Sequence, residues 1–492
     1  MRHLIDLIRA VPEALSYPEE AANLPVTSIT ADSRRVTKGS LFAALKGTKT
    51  DGTAFIEDVK VAGAAAVLCD QSATIDAKGI ALIRSHNPRK ALAHMAAAFY
   101  ARQPEHIVAI TGTDGKTSTA DFFRQFCYHN DRNAASVGTL GVLVGDGEEL
   151  HAGSHTTPDA VDLHKMLAEM TAHEITHVSI EASSHGLDQS RLDGVRFQAG
   201  AFTNIARDHL DYHHTEENYF NAKARLFAEV LPKGATAVIN QDDVRFDALA
   251  AICKQRDLRV LGYGKQGKDL QVLSITPQPD GQLTNLRLMG KEYRLRIPVV
   301  GGFQVMNILA AIGLAMGTGM TIEELLEFVP ELKGVPGRLQ LAVRHANGAA
   351  VYVDYAHTPM ALANILQTLK PHTQGKLRVV FGCGGDRDTG KRSEMGKAAC
   401  ELADDVIVTD DNPRTENPAL IRQAILSGCA KAKEVADRRE AIYVALRRLE
   451  PGDVLVLAGK GHEKTQIIGN KVLPFDDVEV ARQCAKELKL SA

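Results

Sequence analysis

Apolar and polar positions alternate differently along three stretches of the chain. Up to about residue 86, short strand-like runs and turns follow one another, as in VTSITADSRRV and GSLFAALKG, before the apolar run AAAVLC. The opening MRHLIDLIRAVPEAL predicts an amphipathic helix, and residues 88–102 predict another. From His106 to about 334, β-branched apolar runs end in polar loops and alternate with helical stretches. These runs are HIVAI (106–110), HVSIEA (177–182), AGAFTNI (199–205) and ATAVIN (235–240). LQVLSI, LTNLRLM and YRLRIPVV predict added antiparallel strands, with the helix NILAAIGLAMGTG after them. KGVPGRLQ (333–340) sets Pro and Gly between periodic stretches and reads as a linker. A second alternation follows in AAVYVDYAH, LRVVFGCGGDRD, DDVIVTDDNPR and DVLVLAGKGHE, where each strand ends in a glycine-rich or charged loop. Parallel α/β sheets bind ligands at the carboxyl ends of their strands, so these loops stand where a site belongs.

Composition narrows the class. A chain of 492 residues is too long for one ordinary core and predicts about three domains. With 45% hydrophobic and 24% charged residues it is a soluble globular protein. A net charge of −3 argues against nucleic acid as a partner but allows a local basic pocket. The seven cysteines are scattered, odd in number and without a C-x-x-C pair, so neither a disulfide framework nor a zinc ribbon is expected. No run is apolar enough to span a bilayer, and the N-terminal stretch does not read as a signal peptide. A reducing, cytoplasmic setting is the expectation.

The sharpest chemical signal is HIVAI running into TGTDGKTSTADFFRQF: strand, glycine turn, helix. Gly112 and Gly115 allow a tight turn that aims backbone N–H groups at an anion, and the helix presents its positive end to phosphate. Lys116 can reach the outer phosphates, and Thr117 can offer its hydroxyl to Mg²⁺. Ile110 stands where the commonest phosphate-loop pattern has its first glycine. The plainer alternative is a glycine turn with an exposed lysine.

Other candidates keep two readings each. Glu181, closing HVSIEA, suits Mg²⁺ or caps a turn. The run TNIARDHLDYHHT, with Asp208, His209, Asp211, His213 and His214, is a metal cluster without zinc spacing or a solvated loop. Lys223, on a helical stretch beside Tyr219, Phe220 and Phe227, reads by spacing as a solvated charge. Arg387, Arg414 and Glu463, in GCGGDRD, DDNPRTENP and GKGHE, suit a zwitterionic amino acid or form a surface ion-pair network.

GTDGKTS, HTTPDAVD, EASSHGL, TNIARDHLDYH with the later NAK, VPGRLQ, VDYAHTP, GCGGDRD, DDNPR and AGKGHE occur in this order. With DSRRVTKGSLFAALKG near the start, the chain resembles the Mur ligase family over nearly its whole length. The resemblance implies an α/β protein of three domains. Residues 1–86 form a small α/β domain for the UDP-sugar, 87–334 a central P-loop parallel-sheet ATPase domain, and 335–492 a Rossmann-like domain for the incoming amino acid. The implied activity is an ATP- and Mg²⁺-dependent amide ligation of meso-2,6-diaminopimelate to UDP-MurNAc-L-Ala-D-Glu through an acyl phosphate, in peptidoglycan precursor synthesis. No membrane insertion is implied, and a monomer is expected.

The resemblance also assigns residues. Gly112, Thr113, Asp114, Gly115, Lys116, Thr117, Ser118, Asn307, Arg338 and Asp354 match nucleotide contacts. Ala31, Ser33, Thr48, Lys49, Thr50, His155, Thr156, Thr157, Ser183, Gln189 and Arg191 match the UDP-MurNAc-dipeptide site. Arg387, Asp411, Asn412, Pro413, Arg414, Gly459 and Glu463 match the diaminopimelate pocket. Thr117, Glu181, His209 and Lys223, the last carbamylated to N6-carboxylysine, match metal ligands. Lys116, Lys223 and His209 match catalytic groups. The chain departs from its relatives at Asp114 and His155, where Asn is common. A folylpolyglutamate synthetase-like ligase would share the loop but leave DDNPR, GCGGDRD and DSRR unexplained; a nucleotide switch without ligase activity would leave the second α/β alternation without a role.

Overall fold

A computed structural model of the chain describes residues 2–47, 50–76, 78–151 and 155–490. Thr48 and Lys49 lie outside the described residues. The chain forms two compact units: residues 1–268 with 307–325, and residues 269–306 with 326–492.

In the first unit, strands Ser28–Thr30, Ser40–Ala43, Ala66–Asp70 and Ala81–Ser85 pair in parallel in that order. Helix Pro88–Tyr100 begins where its pattern predicts, with Asn87 accepting the Lys90 N–H at 3.0 Å and proline in the first turn. It buries Leu92 and Met95 in the same core as Leu41 and Leu68. The amphipathic helix expected at the start covers only Leu4–Arg9. Arg2–His3 pairs instead with Pro25–Val26, and Pro12 disfavours helical backbone at Val11. Its apolar face, Leu4, Leu7 and Ile8, is buried as the pattern predicts.

The larger sheet of this unit runs parallel in the order Ala134–Gly138, His177–Glu181, His106–Thr111, Phe197–Phe202, Thr236–Asn240, Arg259–Gly264. Sheets covered on both faces favour continuous apolar runs, and Ile107 to Ile110 are fully buried. Strand order reverses beside His106–Thr111, because later strands add on both of its sides. This switch point is where an open α/β sheet forms its ligand crevice.

The second unit holds the expected antiparallel strands Leu270–Gln278, Gly281–Leu288 and Lys291–Ile297. It also holds a sheet in the order Gln340–Arg344, Ala350–Asp354, Val454–Ala458, Leu377–Phe381, Asp405–Val408, Lys433–Glu434, parallel except at the first strand. Its alternation splits the core: Ala350 and Tyr352 pack on one face, Val351 and Val353 on the other.

One pairing departs from the expectation drawn from cysteine spacing. Cys400 and Cys429 form a disulfide, their Cα atoms 5.4 Å apart. They lie 29 residues apart in sequence, and close packing of helix Lys391–Leu402 on the segment after helix Pro418–Leu426 brings them together. A methyl on Gly396 would overlap Ile425 O, so glycine is what permits that approach. The other five cysteines are buried thiols. No helix among the described residues is long and apolar enough to cross a membrane.

Behind the second sheet, Arg438 and Asp477 form a fully buried pair, with N···O distances of 2.8 and 2.6 Å. Arg438 also donates to Ala458 O at 3.0 Å. Asp477→Ala strands a guanidinium without its counter-charge and is expected to cost about 3–5 kcal/mol, whereas Arg438→Met with Asp477→Leu recovers most of it. Urea denaturation of the three proteins checks this; equal midpoints for wild type and Asp477→Ala would contradict it.

Candidate active site

Strand His106–Thr111 delivers the chain into the loop, and helix Lys116–His129 leaves it. Gly112 sits at φ +145 and Gly115 at φ +84, conformations that side chains strain. A methyl on Gly112 would overlap Thr203 Oγ1, and one on Gly115 would overlap Asn307 Oδ1. Buried Asn307 therefore lies directly against the turn. Neighbouring strand ends pin the loop: Thr113 N–H donates to Asn204 O at 2.9 Å, Asp114 N–H donates to Asn204 Oδ1 at 3.0 Å, and Thr203 Oγ1 donates to Asp114 O at 2.6 Å. Asp114 is exposed and Ser118 buried. Lys116 Nζ folds onto the loop, donating to Gly112 O at 3.0 Å and Thr113 O at 2.7 Å.

Lys223 does not behave as a solvated charge. It is 1% exposed, on helix Glu216–Arg225, which Thr215 caps. Its Nζ donates to Gly112 O at 2.7 Å and lies 4.4 Å from the centroid of the Tyr219 ring. Burial, with a smaller push from Lys116, drives its pKa down to about 7, against the pull of Asp208 and Asp114. Tyr219 is itself fixed, its hydroxyl 3.1 Å from Thr113 Oγ1.

Glu181 is 2% exposed and does more than end a strand. Thr139 donates to it from its N–H at 2.9 Å and its hydroxyl at 3.3 Å, and the Thr117 side chain hydrogen-bonds to it. Burial raises its pKa while these bonds hold it down. His209, at φ +51, is half-exposed beside Asp208, its ring 4.9 Å from His185 and 6.2 Å from Tyr219. Among the described residues no group of three or more His, Cys, Asp or Glu is placed to hold a metal ion. The pair that fits Mg²⁺ is Thr117 with Glu181, two hard oxygen donors at the phosphate loop, since this ion commonly takes one or two protein ligands beside phosphate and water. His209 and Lys223 lie around Tyr219.

A third group assembles beside the switch point. Thr157 Oγ1 donates to Glu181 O at 2.6 Å, and Ser183 N–H donates to Thr157 Oγ1 at 2.9 Å. Ser183 also caps its helix. Arg191 donates to Thr157 O at 2.7 Å and to Gln189 Oε1 at 2.9 Å. Thr156 lies 3.1 Å from Thr139, hydroxyl to hydroxyl, and His155 is exposed. Gln189 and Arg191 join Ala31 around a cavity of about 310 Å³. Arg35 and Arg89 also line it. Sequence reading missed both; Arg35 lies inside the DSRR motif, while nothing in the pattern singles out Arg89. Ser33 begins the short turn that Asp32 caps, and Thr50 is exposed, its carbonyl accepting the Gly47 N–H at 2.9 Å.

The second unit carries two further groups. Asp354 accepts the Leu339 and Ala356 N–H groups, each at 2.8 Å; burial raises its pKa, and Arg338 acts in the opposite direction. At the ends of neighbouring strands, Asp411, Asn412, Pro413 and Gly459 are buried, Arg414 and Glu463 half-buried and Arg387 exposed. Asn412 Nδ2 donates to Glu463 Oε2 at 2.9 Å. Sequence reading missed the centre of this group. Lys460, fully buried, donates to Asn412 Oδ1 at 3.1 Å, Glu463 Oε2 at 3.3 Å and Asp411 Oδ1 at 3.4 Å. Its place inside GKGHE was the available signal. This is a buried polar cluster, in which one ammonium organises two carboxylates and an amide.

Comparison with known proteins identifies a family. The chain matches the Mur ligase family, catalytic domain, over residues 25–100, the Mur ligase middle domain over 110–315, and the Mur ligase, glutamate ligase domain over 337–461. The chain belongs to the Mur ligase family. Among similar curated proteins, the UDP-N-acetylmuramoyl-L-alanyl-D-glutamate–2,6-diaminopimelate ligase of Brucella melitensis biotype 1 is 48% identical over 96% of both chains. The enzyme of that name from Caulobacter vibrioides is 48% identical over 92% of this chain and 94% of its own. A solved structure of a ligase of that name superposes with a TM-score of 0.79 at 34% identity, covering 98% of this chain and 99% of the other.

Gly115→Ala tests the loop. The left-handed backbone and the overlap with Asn307 add roughly 1–3 kcal/mol of strain, read as about a 5- to 150-fold loss of ATP affinity. Calorimetric titration with ATP checks it, and unchanged affinity would remove the loop from the nucleotide site.

Proposed function

We propose that this chain is the ATP-dependent ligase that adds meso-2,6-diaminopimelate to UDP-MurNAc-L-Ala-D-Glu in peptidoglycan precursor synthesis. The observation that carries the reading is the match to ligases named for that reaction over nearly the whole chain, joined to a glycine loop that holds Lys116 and a buried polar cluster around Lys460. We read the central domain as a P-loop ATPase and the C-terminal domain as Rossmann-like, with roles divided at about residues 86 and 334 and a monomer working in the cytoplasm. The cavity beside Gln189 and Arg191 is assigned to the UDP-sugar peptide.

A carboxylate is a poor electrophile at neutral pH, so amide formation needs activation. In this reading the side-chain carboxylate of the D-Glu residue attacks the γ-phosphorus of ATP, ADP leaves, and an acyl phosphate forms. The amine of diaminopimelate then attacks the acyl carbon, and inorganic phosphate departs from the tetrahedral intermediate. Lys116, freed from Gly112 O and Thr113 O, would neutralise charge on the transferring group, which is chiefly electrostatic positioning. Mg²⁺, held by Thr117 and Glu181, supplies further neutralisation of phosphate charge when bound. Lys223, with an amine neutral above about pH 7, is suited to attack CO₂. An N–C bond forms, one proton leaves, and the neutral amine becomes a carbamate anion. Its remaining N–H can keep the bond to Gly112 O.

Arg414 would pair the distal carboxylate of diaminopimelate, which L-lysine lacks. The folylpolyglutamate alternative has no use for that pocket, and a ligase-free switch has no use for the acyl acceptor. The test is phosphate release from ATP with UDP-MurNAc-L-Ala-D-Glu and each of meso-diaminopimelate, L-lysine and L-ornithine. Release with diaminopimelate far above the other two is expected, and equal efficiency on L-lysine would sink the reading. Arg414→Ala is expected to lose about 2–5 kcal/mol in kcat/KM for diaminopimelate while the KM for ATP holds.

A further inference from the structure

Arg414 is held by groups outside the pocket assigned above. Its backbone sits at φ +50, a left-handed conformation that an arginine keeps only where its surroundings impose it. Its N–H donates to Ile467 O at 3.0 Å, the Gly469 N–H donates to its carbonyl at 2.7 Å, and its Nη1 donates to Gly385 O at 2.8 Å. The next residue is tied to a different loop. Asp386 accepts the Thr415 hydroxyl at 2.7 Å on one oxygen and the Thr415 N–H at 3.2 Å on the other. Asp386 is itself left-handed, at φ +54, and its N–H donates to Glu416 Oε1 at 2.5 Å. Arg392 holds that carboxylate at 2.9 Å. Glycine permits the approach, since a methyl on Gly385 would overlap Pro413 O.

These bonds join the loop after strand Leu377–Phe381 to the loop after strand Asp405–Val408. The two strands are neighbours, and Phe381 pairs with Val408 at their ends. Strand pairing fixes the loops only where they begin. Several residues farther out, their spacing depends on cross-loop bonds, and Asp386 supplies two of these to one residue. Recognition of a carboxylate by arginine depends on a planar fork in fixed orientation, not on charge alone.

We propose that Asp386, acting through Thr415, is the positioning residue that aims Arg414 and so sets the preference for an amino acid bearing a distal carboxylate. The proposal rests on the function read above. Loosening the latch leaves the positive charge in place but lets it wander. Discrimination between diaminopimelate and L-lysine then falls, while the glycine loop that holds Lys116, on the other unit, is untouched.

The test uses Asp386→Asn, Thr415→Val and Thr415→Ser in the full chain. Asp386→Asn gives up the charge-assisted bonds for a neutral amide with one accepting oxygen, Thr415→Val removes the hydroxyl, and Thr415→Ser keeps it. Hydrogen–deuterium exchange over 382–388 and 411–417 is expected to quicken about tenfold or more in the first two variants and to stay at the wild-type rate in Thr415→Ser. In steady state the same two raise the KM for meso-diaminopimelate about tenfold and lower the preference over L-lysine, with the KM for ATP unchanged. Wild-type exchange rates in both Asp386→Asn and Thr415→Val would overturn the latch. So would faster exchange with an unchanged KM and preference. Should the wild type not use diaminopimelate, the functional reading falls by itself, and the exchange rates still decide whether Asp386 holds the Arg414 loop.

Discussion

Two lysine ammonium groups converge on one backbone carbonyl, that of Gly112, and the geometry of the first unit follows from how this is tolerated. The carbonyl points where it does because Gly112 adopts φ +145, against Thr203, with no room for a side chain. Two like charges this close, one of them excluded from water, cannot both remain ionised at ordinary cost. The buried partner yields: Lys223 titrates near neutrality, beneath the Tyr219 ring, while Lys116 stays at the edge of the loop where phosphate would meet it. A buried amine that titrates near neutrality and a loop cation thus share one crowded turn.

The second unit uses the same device for a different end. Glycines at 384 and 385 let two loops touch, and a fully buried lysine, Lys460, gathers Asp411, Asn412 and Glu463 into one cluster. A buried ammonium with three acceptors is costly to assemble and costly to disturb, so it fixes the shape of the pocket more than it adds stability. In both units loops at the carboxyl ends of parallel strands carry candidate groups, Lys116 after His106–Thr111 and Asp411 after Asp405–Val408, where the strands release the chain into irregular backbone.

Much of this was legible in the sequence. The runs HIVAI, HVSIEA and ATAVIN are strands because buried parallel strands require continuous apolar, β-branched residues, and the glycines of the loop mark the turns they make. What periodicity cannot carry is the third dimension. Lys223 reads as a surface charge on its own helix; only the packing of that helix on the loop buries it. Lys460 stands between two glycines, and nothing in that spacing shows that the fold buries it, while Arg89 belongs to a helix that meets the cavity only after the unit folds. The Cys400–Cys429 pair depends on close helix packing across 29 residues. The first helix is short because Arg2–His3 finds a strand partner that local pattern does not announce.

The ionisation of Lys223 is the most direct point of attack. Its neutral amine should take up CO₂, so a ¹³C carbamate resonance should appear when the protein is equilibrated at fixed dissolved ¹³CO₂. That resonance should grow as the pH rises through about 7 and be absent from Lys223→Ala. A wild-type protein without the resonance across that range, or with one unchanged in Lys223→Ala, would contradict the account.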